Sequence, residues 1–421
     1  MSHLPGPTAF RREQWKMLLV TMLCYLFFYT GRHNFGWAAE GMGRELNLNR
    51  EMIGWISSAM LMGYALGQLI NGGLADRYSP RMMITAGALL SVGANFLISF
   101  SGSFYVILML WGLNGYFQSL AWAPGGRLIS NWWAKEERGK AFGFFTMAAG
   151  SSSAVTFLLS ILLLQQGVSW HELFRIPVLL LLFAALIFWA LARNTPSEKG
   201  FADLYSEEKQ DTDRRGWAQR YAEVLKHRKF VTASVAIGFQ SMARYGLIVW
   251  VPVHYLGGDW KSNPQYLWVA VLMPLGMSLG AVSFGALSDT FFKGNRPATI
   301  RMGMLASALI TLSIYYIPVH SLVMEGALMF LAGFFVYGPQ ANFWPMSSDL
   351  LGEKLVGSGI GLMNMCAYLF AAMGEPLLGR VIDKTHDTAS IFLVISAICI
   401  LCACIISFVS YKNDNQLKPL L

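Results

Sequence analysis

Arg32 and Arg244 each lie within a long apolar stretch of the sequence. Arg32 lies in the stretch 17–39 and Arg244 in the stretch 230–256, at corresponding points of two halves of the chain. A charged side chain at the centre of a bilayer costs about 2.5–3.5 kcal/mol on insertion scales. A chain that carries this cost at two matched points is expected to use both guanidinium groups to hold an anion. The alternative for each arginine is a structural ion pair or a side chain that extends to the lipid headgroups.

Polar and aromatic side chains accompany both arginines. Tyr25, Tyr29 and Arg32 follow one another at steps of four and three residues, which places them on one face of a helix. The other candidate binding residues are Gln118 and Trp122, which continue a polar stripe from Asn114, together with Tyr337 and Tyr368. Neutral hydrogen-bonding groups beside two arginines suit a phosphoryl group, which has several acceptor oxygens and a charge of about −2. We expect about half of the neutral groups to serve helix packing instead.

Glu375 is an acid deep in the eleventh apolar stretch, directly before Pro376. An acid at membrane depth is costly and usually functional. Three roles are open: pairing with an arginine when the cavity is empty, carrying a proton, or holding an ammonium group of the substrate. A position at the outer rim would instead make Glu375 an ordinary solvated residue.

The composition is typical of a membrane protein. Of 421 residues, 55% are hydrophobic and 13% are charged, which is too apolar for a soluble chain of this length. The net charge is +8, and the basic residues lie in the short loops between apolar stretches. They therefore indicate orientation in a membrane and not nucleic-acid binding. The five cysteines fall in apolar segments without acidic or histidine neighbours, which predicts neither a disulfide framework nor a metal site. We expect no cofactor.

The sequence predicts an all-α membrane protein with twelve transmembrane helices in two pseudo-symmetric six-helix bundles. The twelve apolar stretches are 17–39, 52–74, 82–101, 104–130, 139–164, 173–193, 230–256, 266–288, 299–318, 323–349, 356–380 and 388–411. The predicted domains are an N-terminal bundle, 1–193, a basic cytoplasmic linker, 194–229, and a C-terminal bundle, 230–421. Lysine and arginine concentrate in the loops on the side of the linker, which places both termini in the cytoplasm of a bacterial inner membrane.

A glycine- and charge-containing loop motif recurs in both halves. The first copy contains Gly72, Asp76, Arg77 and Arg81, and the second contains Gly285 and Asp289. Glycine permits close helix packing, and the aspartate can cap a helix or pair with neighbouring arginines. We expect this motif to gate conformational change and not to contact substrate. Repeats of this kind are typical of secondary transporters whose substrate site lies near the bilayer midplane.

Several motifs resemble the organophosphate:phosphate antiporter family of the major facilitator superfamily. They are Tyr29-x-x-Arg32-x-Asn34-Phe35, the run from Asn114 to Arg127, Asn131-Trp132-Trp133, Arg244-Tyr245-Gly246-x-x-x-Trp250-x-Pro252 and Tyr337-Gly338-Pro339. The resemblance implies the major facilitator fold and exchange of a phosphorylated compound for inorganic phosphate by alternating access. It also implies that Arg32 and Arg244 are the site arginines, and that the site tyrosines are Tyr25, Tyr29, Tyr337 and Tyr368.

Four positions depart from the family pattern. His33, Gln68 and Ala149 stand where the family usually has lysine, lysine and histidine, and Glu375 stands where its members usually have a small neutral residue. The site has therefore lost cationic groups and gained an acid. These changes suggest a less charged or amine-bearing ligand, such as an aminophosphonate, or another anion.

Two other functions remain open from the sequence. One is an ion-coupled symporter of organic carboxylates or sulfonates, which also uses paired arginines. The other is a transporter-like membrane sensor that binds a sugar phosphate without appreciable flux. An enzyme is not expected, since no nucleophile–base arrangement, metal cluster or phosphate-binding loop is evident. We expect a monomer in the lipid bilayer whose partners are an organic anion and inorganic phosphate.

Overall fold

The regular structure is helical throughout the described part of the chain. The computed structural model describes residues 7–75, 77–204, 217–257, 260–317, 321–351 and 355–409. Within these ranges, seven helices are long and apolar enough to cross a membrane by length and composition. The predicted all-helical membrane class is confirmed.

The described helices follow the predicted apolar stretches in order. In the first half they are α1 (Pro7–Phe28), α2 (Asn34–Glu45), α3 (Arg50–Leu74), α4 (Pro80–Ile98), α5 (Phe104–Gln118), α6 (Trp122–Trp132), α7 (Lys135–Gln165) and α8 (Trp170–Leu191). A short helix, α9 (Trp217–Val224), lies in the linker. The second half contains α10 (Arg228–Gly257), α11 (Tyr266–Thr290), α12 (Arg296–Tyr316), α13 (Leu322–Tyr337), α14 (Gln340–Leu351), α15 (Val356–Thr385) and α16 (Ser390–Ile406).

The first, fourth and tenth predicted stretches are each interrupted by a short turn, which the sequence prediction did not include; the tenth still forms one candidate membrane span, Leu322–Leu351. The fourth divides into α5 and α6, and the tenth into α13 and α14. Pro124 is the third residue of α6, and Pro339 lies in the break before α14. Proline has no N–H to donate, and its ring collides with the carbonyl four residues earlier. The first stretch divides into α1, a 3-10 turn (Tyr29–Gly31) and α2, although it has no proline near the break.

The chain forms two compact units. Unit 1 comprises Met1–Leu48 and Trp55–Arg214, and unit 2 comprises Asn49–Gly54 and Arg215–Leu421. The domain limits predicted at 193 and 229 remain a prediction.

In unit 1, α1 packs against α7 and α8, and α4 packs against α5 and α8. The core between these helices is aromatic, with Phe28, Phe145 and Trp132 almost fully buried. At one end, Arg11 donates to both carboxylate oxygens of Glu137 at 2.5 and 2.7 Å, and this hydrogen bonding raises the pKa of Arg11. These contacts hold α1, and with it the candidate residues Tyr25 and Tyr29, against α7.

In unit 2, α10 packs along α15 and α16, and α11 packs along α13. The α11–α13 contact brings backbones together: a β-carbon at Gly333 would collide with the Met273 carbonyl, and one at Gly276 with the Phe330 carbonyl. Small residues at such points are what allows helices to approach closely in a membrane protein. The close packing fixes α13, whose last residue is the candidate Tyr337.

Candidate functional site

Arg32 lies at the break between α1 and α2, where it caps the 3-10 turn. Its residue surface is only 5% exposed. The guanidinium carbon lies 4.9 Å from the ring centroid of Tyr29 and 4.2 Å from that of Tyr64 on α3. Cation–π contact with two rings orients the guanidinium group and offsets part of the cost of burying it.

Tyr25 and Trp122 belong to an aromatic cluster that adjoins Tyr29. The ring of Tyr25 lies 5.6 Å from Tyr29, 5.6 Å from Trp122 and 4.7 Å from Phe145. Trp122 stacks on Phe145 at 5.2 Å. The structure therefore brings together the candidate residues Tyr25, Tyr29, Trp122 and Arg32 in one region of unit 1.

Gln118 is placed differently from the other candidates. It is 1% exposed, and its amide donates to the carbonyl of Phe28 at 2.9 Å and to Ser91 Oγ at 2.8 Å. The first of these bonds satisfies a backbone carbonyl at the end of α1. The sequence predicts Gln118 as a binding residue; in the structure its amide donates to the last residue of α1, just before the turn that ends at Arg32.

His33 adjoins the same region from the other side of the break. Its Nδ1 lies 2.8 Å from Ser153 Oγ on α7, and its ring meets that of Tyr29 edge-on at 4.9 Å. The imidazole is buried, with 3% of the residue exposed. His33 thus links the break to α7.

Arg244 lies in the middle of α10, which is continuous through this position. The residue is 8% exposed, and Nη1 donates to Gln340 Oε1 at 3.3 Å. The guanidinium carbon lies 4.9 Å from the centroid of Tyr245 and 4.5 Å from that of Tyr337. Tyr368 joins the group through Tyr245, with ring centroids 5.6 Å apart. Unit 2 thus surrounds its buried arginine with tyrosine rings, as unit 1 does.

Glu375 is buried in unit 2, with only 1% of its surface exposed. The indole Nε1 of Trp250 on α10 donates to its carboxylate at 2.9 Å. The alternative in which Glu375 is an ordinary solvated residue is therefore wrong. Its backbone is equally enclosed, since a β-carbon at Gly54 would lie 2.5 Å from the Glu375 carbonyl oxygen.

The repeated loop motif is only partly described. Asp76 lies outside the described residues, and Gly72 lies within α3. Arg77 is exposed, whereas Arg81 donates to the carbonyl of Trp189 and lies 4.1 Å from its ring centroid. This motif arginine therefore joins α4 to α8.

The second copy of the motif is more open than expected. Asp289 lies 4.0 Å from Arg296, whose Nε donates to Asp349 at 3.0 Å. A β-carbon at Gly285 would meet no atom within 4 Å, so this glycine provides no close helix approach here. The acidic residue of the second copy is thus tied to α12 and, through Arg296, to α14.

Sequence reasoning missed three side chains next to the arginines. They are Tyr64, Tyr245 and Gln340. Tyr245 follows Arg244 directly, and Gln340 follows Pro339 at the break between α13 and α14, so both carried a local signal. Tyr64 carried none, because its proximity to Arg32 depends on how α3 packs against the break.

Comparison with known protein families identifies the superfamily of this chain. The sequence model of the Major Facilitator Superfamily matches residues 21–374 and 233–419. The chain belongs to the Major Facilitator Superfamily and is a multi-pass membrane protein.

Curated relatives define the resemblance more closely. The chain is 25% identical to the phosphoglycerate transporter protein of Salmonella typhimurium, over 97% of this chain and 91% of that protein. It is 24% identical to the glycerol-3-phosphate transporter of Bacillus subtilis, over 93% and 91%. It is also 26% identical to the membrane sensor protein UhpC of Salmonella typhimurium, over 90% and 88%. These relatives confirm the resemblance to the organophosphate:phosphate antiporter family.

A solved structure supports the fold. A bacterial homologue of the human lysosomal transporter Spinster, inward-facing and unoccupied, superposes with a TM-score of 0.74 at 16% identity. The match covers 95% of this chain and 99% of the other. The predicted major facilitator fold is confirmed.

Proposed function

We propose that this protein is a secondary active transporter of a phosphorylated or phosphonate-like organic anion, which it exchanges for inorganic phosphate by alternating access. The observation that carries the proposal is the pair of buried arginines, Arg32 and Arg244, one in each unit. Each lies against two tyrosine rings and is less than a tenth exposed. The names of the phosphoglycerate and glycerol-3-phosphate transporters support the same substrate class.

The chemistry of the arginines fits a phosphoryl ligand. A guanidinium group presents paired N–H donors that match two phosphoryl oxygens, and it remains charged at any physiological pH. The rings of Tyr29, Tyr64 and Tyr337 orient the two guanidinium groups through cation–π contact. We propose that Arg32 and Arg244 each bind the phosphoryl ligand, and that Tyr25, Tyr29, Tyr337, Tyr368 and Trp122 contribute to its recognition.

Glu375 adds a selectivity element to the proposal. A buried carboxylate favours a cationic group on the ligand, because opposite charges attract strongly in a medium of low dielectric constant. We propose that an amine-bearing phosphoryl compound is preferred over a purely anionic one. We propose that it acts as a monomer in a bacterial inner membrane, with both termini in the cytoplasm.

Exchange in proteoliposomes tests the function. Vesicles loaded with inorganic phosphate should take up radiolabelled glycerol 3-phosphate, a hexose phosphate or 2-aminoethylphosphonate without any proton or sodium gradient. Arg32→Lys and Arg244→Lys should each lower this exchange by about tenfold or more, because lysine keeps the charge but not the paired donors. Arg175→Lys is the matched control: this arginine lies 4.3 Å from the ring of Phe100 and bonds to Ser99, remote from the candidate residues in sequence.

Two results would replace the proposal. Uptake of a carboxylate or sulfonate that requires an ion gradient and ignores phosphate would identify a symporter. Tight binding of a sugar phosphate with negligible flux would identify a sensor, which is the function named for the UhpC relative.

A further inference from the structure

We propose that Asn114 is a positioning residue for Arg32: together with Asn95 and Gln118, it holds open the break in the first membrane helix from which Arg32 projects. The inference rests on the proposed function, since it concerns the same arginine. It also makes a claim about the helix that can be tested without any substrate.

Backbone hydrogen bonds show where the helix departs from its regular course. The N–H groups of Arg32 and His33 both donate to the carbonyl of Tyr29, at 3.0 and 2.8 Å. In a continuous α-helix, Arg32 would donate to Phe28, and Phe35 would donate to Gly31. The break therefore displaces the carbonyls of Phe28 and Gly31 from their usual partners.

Three buried amides supply the replacements. Asn114 Nδ2 donates to the Gly31 carbonyl at 2.8 Å, and Asn95 Nδ2 lies 3.2 Å from the same oxygen. Gln118 Nε2 donates to the Phe28 carbonyl at 2.9 Å. Asn95 and Asn114 have no exposed surface, and Gln118 is 1% exposed. Water has little access to these carbonyls, so the amides are their means of remaining satisfied.

Ser91 fixes the orientation of this amide group. Its hydroxyl donates to Asn114 Oδ1 at 2.6 Å and accepts from Gln118 Nε2 at 2.8 Å. With Oδ1 of Asn114 occupied as an acceptor, Nδ2 is directed at Gly31. Asn34, the first residue of α2, donates to Asn95 Oδ1 at 3.1 Å and to the Leu173 carbonyl at 3.0 Å. The network thus holds both sides of the break.

The close approach of these side chains also explains why residue 31 is a glycine. A β-carbon at this position would lie 3.1 Å from Asn95 Nδ2 and 3.2 Å from Ser91 Oγ. The backbone therefore comes close enough to α4 for side chains to reach its carbonyl. The segment from Met22 to Glu45, which contains the break, has no proline. The side-chain donors on α4 and α5 stabilise the break instead.

Among the residues that the structure describes, no such set of amides supports Arg244 in unit 2. Helix α10 is continuous there, and its buried amide Gln240 donates outward, to the carbonyl of Val336 near the end of α13. Arg32 therefore depends on a set of amides that Arg244 does not need.

The test separates positioning from simple loss of a buried hydrogen bond. Asn114→Leu keeps the number and branching of the side-chain heavy atoms and removes both polar atoms, and Asn114→Asp keeps an acceptor for Ser91 but replaces the amide donor to Gly31. The matched control is Gln14→Leu, since Gln14 is 3% exposed and donates to the Trp132 carbonyl at 2.7 Å in the same unit. All three variants should lose similar thermal stability, whereas only the Asn114 variants should bind inorganic phosphate about tenfold more weakly.

Two readouts identify Arg32 as the group through which Asn114 acts. In a double-mutant cycle for phosphate binding, the effect of Asn114→Leu should largely disappear in an Arg32→Lys background. In ligand-free protein, the rate at which phenylglyoxal modifies Arg32, followed by mass spectrometry, should change at least about threefold in Asn114→Leu and not in Gln14→Leu.

Additive effects in the cycle, or an unchanged modification rate, would overturn the inference. An equal loss of phosphate affinity in Gln14→Leu would do the same. If the wild-type protein neither binds nor exchanges phosphate, the proposed function fails, and the modification rate of Arg32 alone then decides the positioning role.

Discussion

The indole Nε1 of Trp250 donates a 2.9 Å hydrogen bond to the carboxylate of Glu375, joining α10 to α15 inside unit 2. Trp250 lies six residues after Arg244, so the arginine and the donor to the acid belong to the same helix. A change in the charge of Glu375 should therefore alter ligand selectivity without breaking the fold around Arg244.

Glu375→Gln should reduce the preference for amine-bearing phosphoryl ligands. The amide oxygen can still accept from Trp250, but the negative charge that attracts an ammonium group is lost. We expect the ratio of affinities for 2-aminoethylphosphonate and glycerol 3-phosphate to fall by about tenfold, which corresponds to about 1.4 kcal/mol. Competition for phosphate exchange measures this ratio. An unchanged ratio would show that Glu375 has no part in choosing the ligand.

Tyr64 should matter for its ring and not for its hydroxyl. Tyr64→Phe keeps the face that lies 4.2 Å from the Arg32 guanidinium carbon, whereas Tyr64→Leu removes it. A buried cation–π contact contributes about 1–2 kcal/mol, so Tyr64→Leu should weaken phosphate binding by about five- to thirtyfold. Tyr64→Phe should stay within about threefold of wild type. Titration of purified protein with inorganic phosphate measures both, and equal losses would point to the hydroxyl group.

Asp383 should stabilise the start of α3. Its carboxylate oxygens accept from the backbone N–H groups of Arg50 and Glu51 at 3.0 and 2.8 Å, which are donors that a helix leaves unpaired at its first turn. Asp383→Ala should lower the free energy of unfolding by about 1–2 kcal/mol, measured as a lower thermal midpoint in detergent.

Asp203→Ala is the control for Asp383→Ala. Asp203 accepts a single backbone bond, from Ser197 at 2.9 Å, in an exposed part of the linker. Its loss should lower the free energy of unfolding by less than about 0.5 kcal/mol. A shift as large as that of Asp383→Ala would remove any special role for the cap on α3.

Gly333→Ala should destabilise the contact between α11 and α13. The added methyl group would meet the Met273 carbonyl, and a backbone atom cannot move aside as a side chain can. Overpacking of this kind costs about 1–3 kcal/mol. Gly143→Ala on α7 is the control, because its β-carbon meets nothing within 4 Å and alanine favours a helix by up to about 1 kcal/mol. Thermal unfolding should rank Gly143→Ala above wild type and Gly333→Ala below it.

The order of the helices could be predicted from sequence, and two of the three breaks had a local signal. Runs of apolar residues long enough to cross a bilayer mark the helices. Pro124 lies in the first turn of α6 and Pro339 in the break before α14, where the missing N–H and the ring of proline disfavour a continuous helix. The break before α2 has no such residue, because the groups that sustain it belong to α4 and α5.

The candidate site was predictable in its charges and not in its partners. Arg32, Arg244 and Glu375 stand out because a charge in an apolar stretch is rare. The stripe of Asn114 and Gln118 was also visible, but spacing along one helix does not reveal that its amides reach the carbonyls of another. Tyr64 illustrates the same limit, since a tyrosine in an apolar helix has many possible neighbours until the helices are packed.

The interrupted first helix has a consequence for redesign. Arg32 lies at a junction between two helix segments, whereas Arg244 lies within one uninterrupted helix. An engineered variant that admits a bulkier or differently shaped ligand should therefore be sought first around Arg32. Replacing an amide on α4 or α5 can shift the position of this guanidinium group in small steps while its charge is kept.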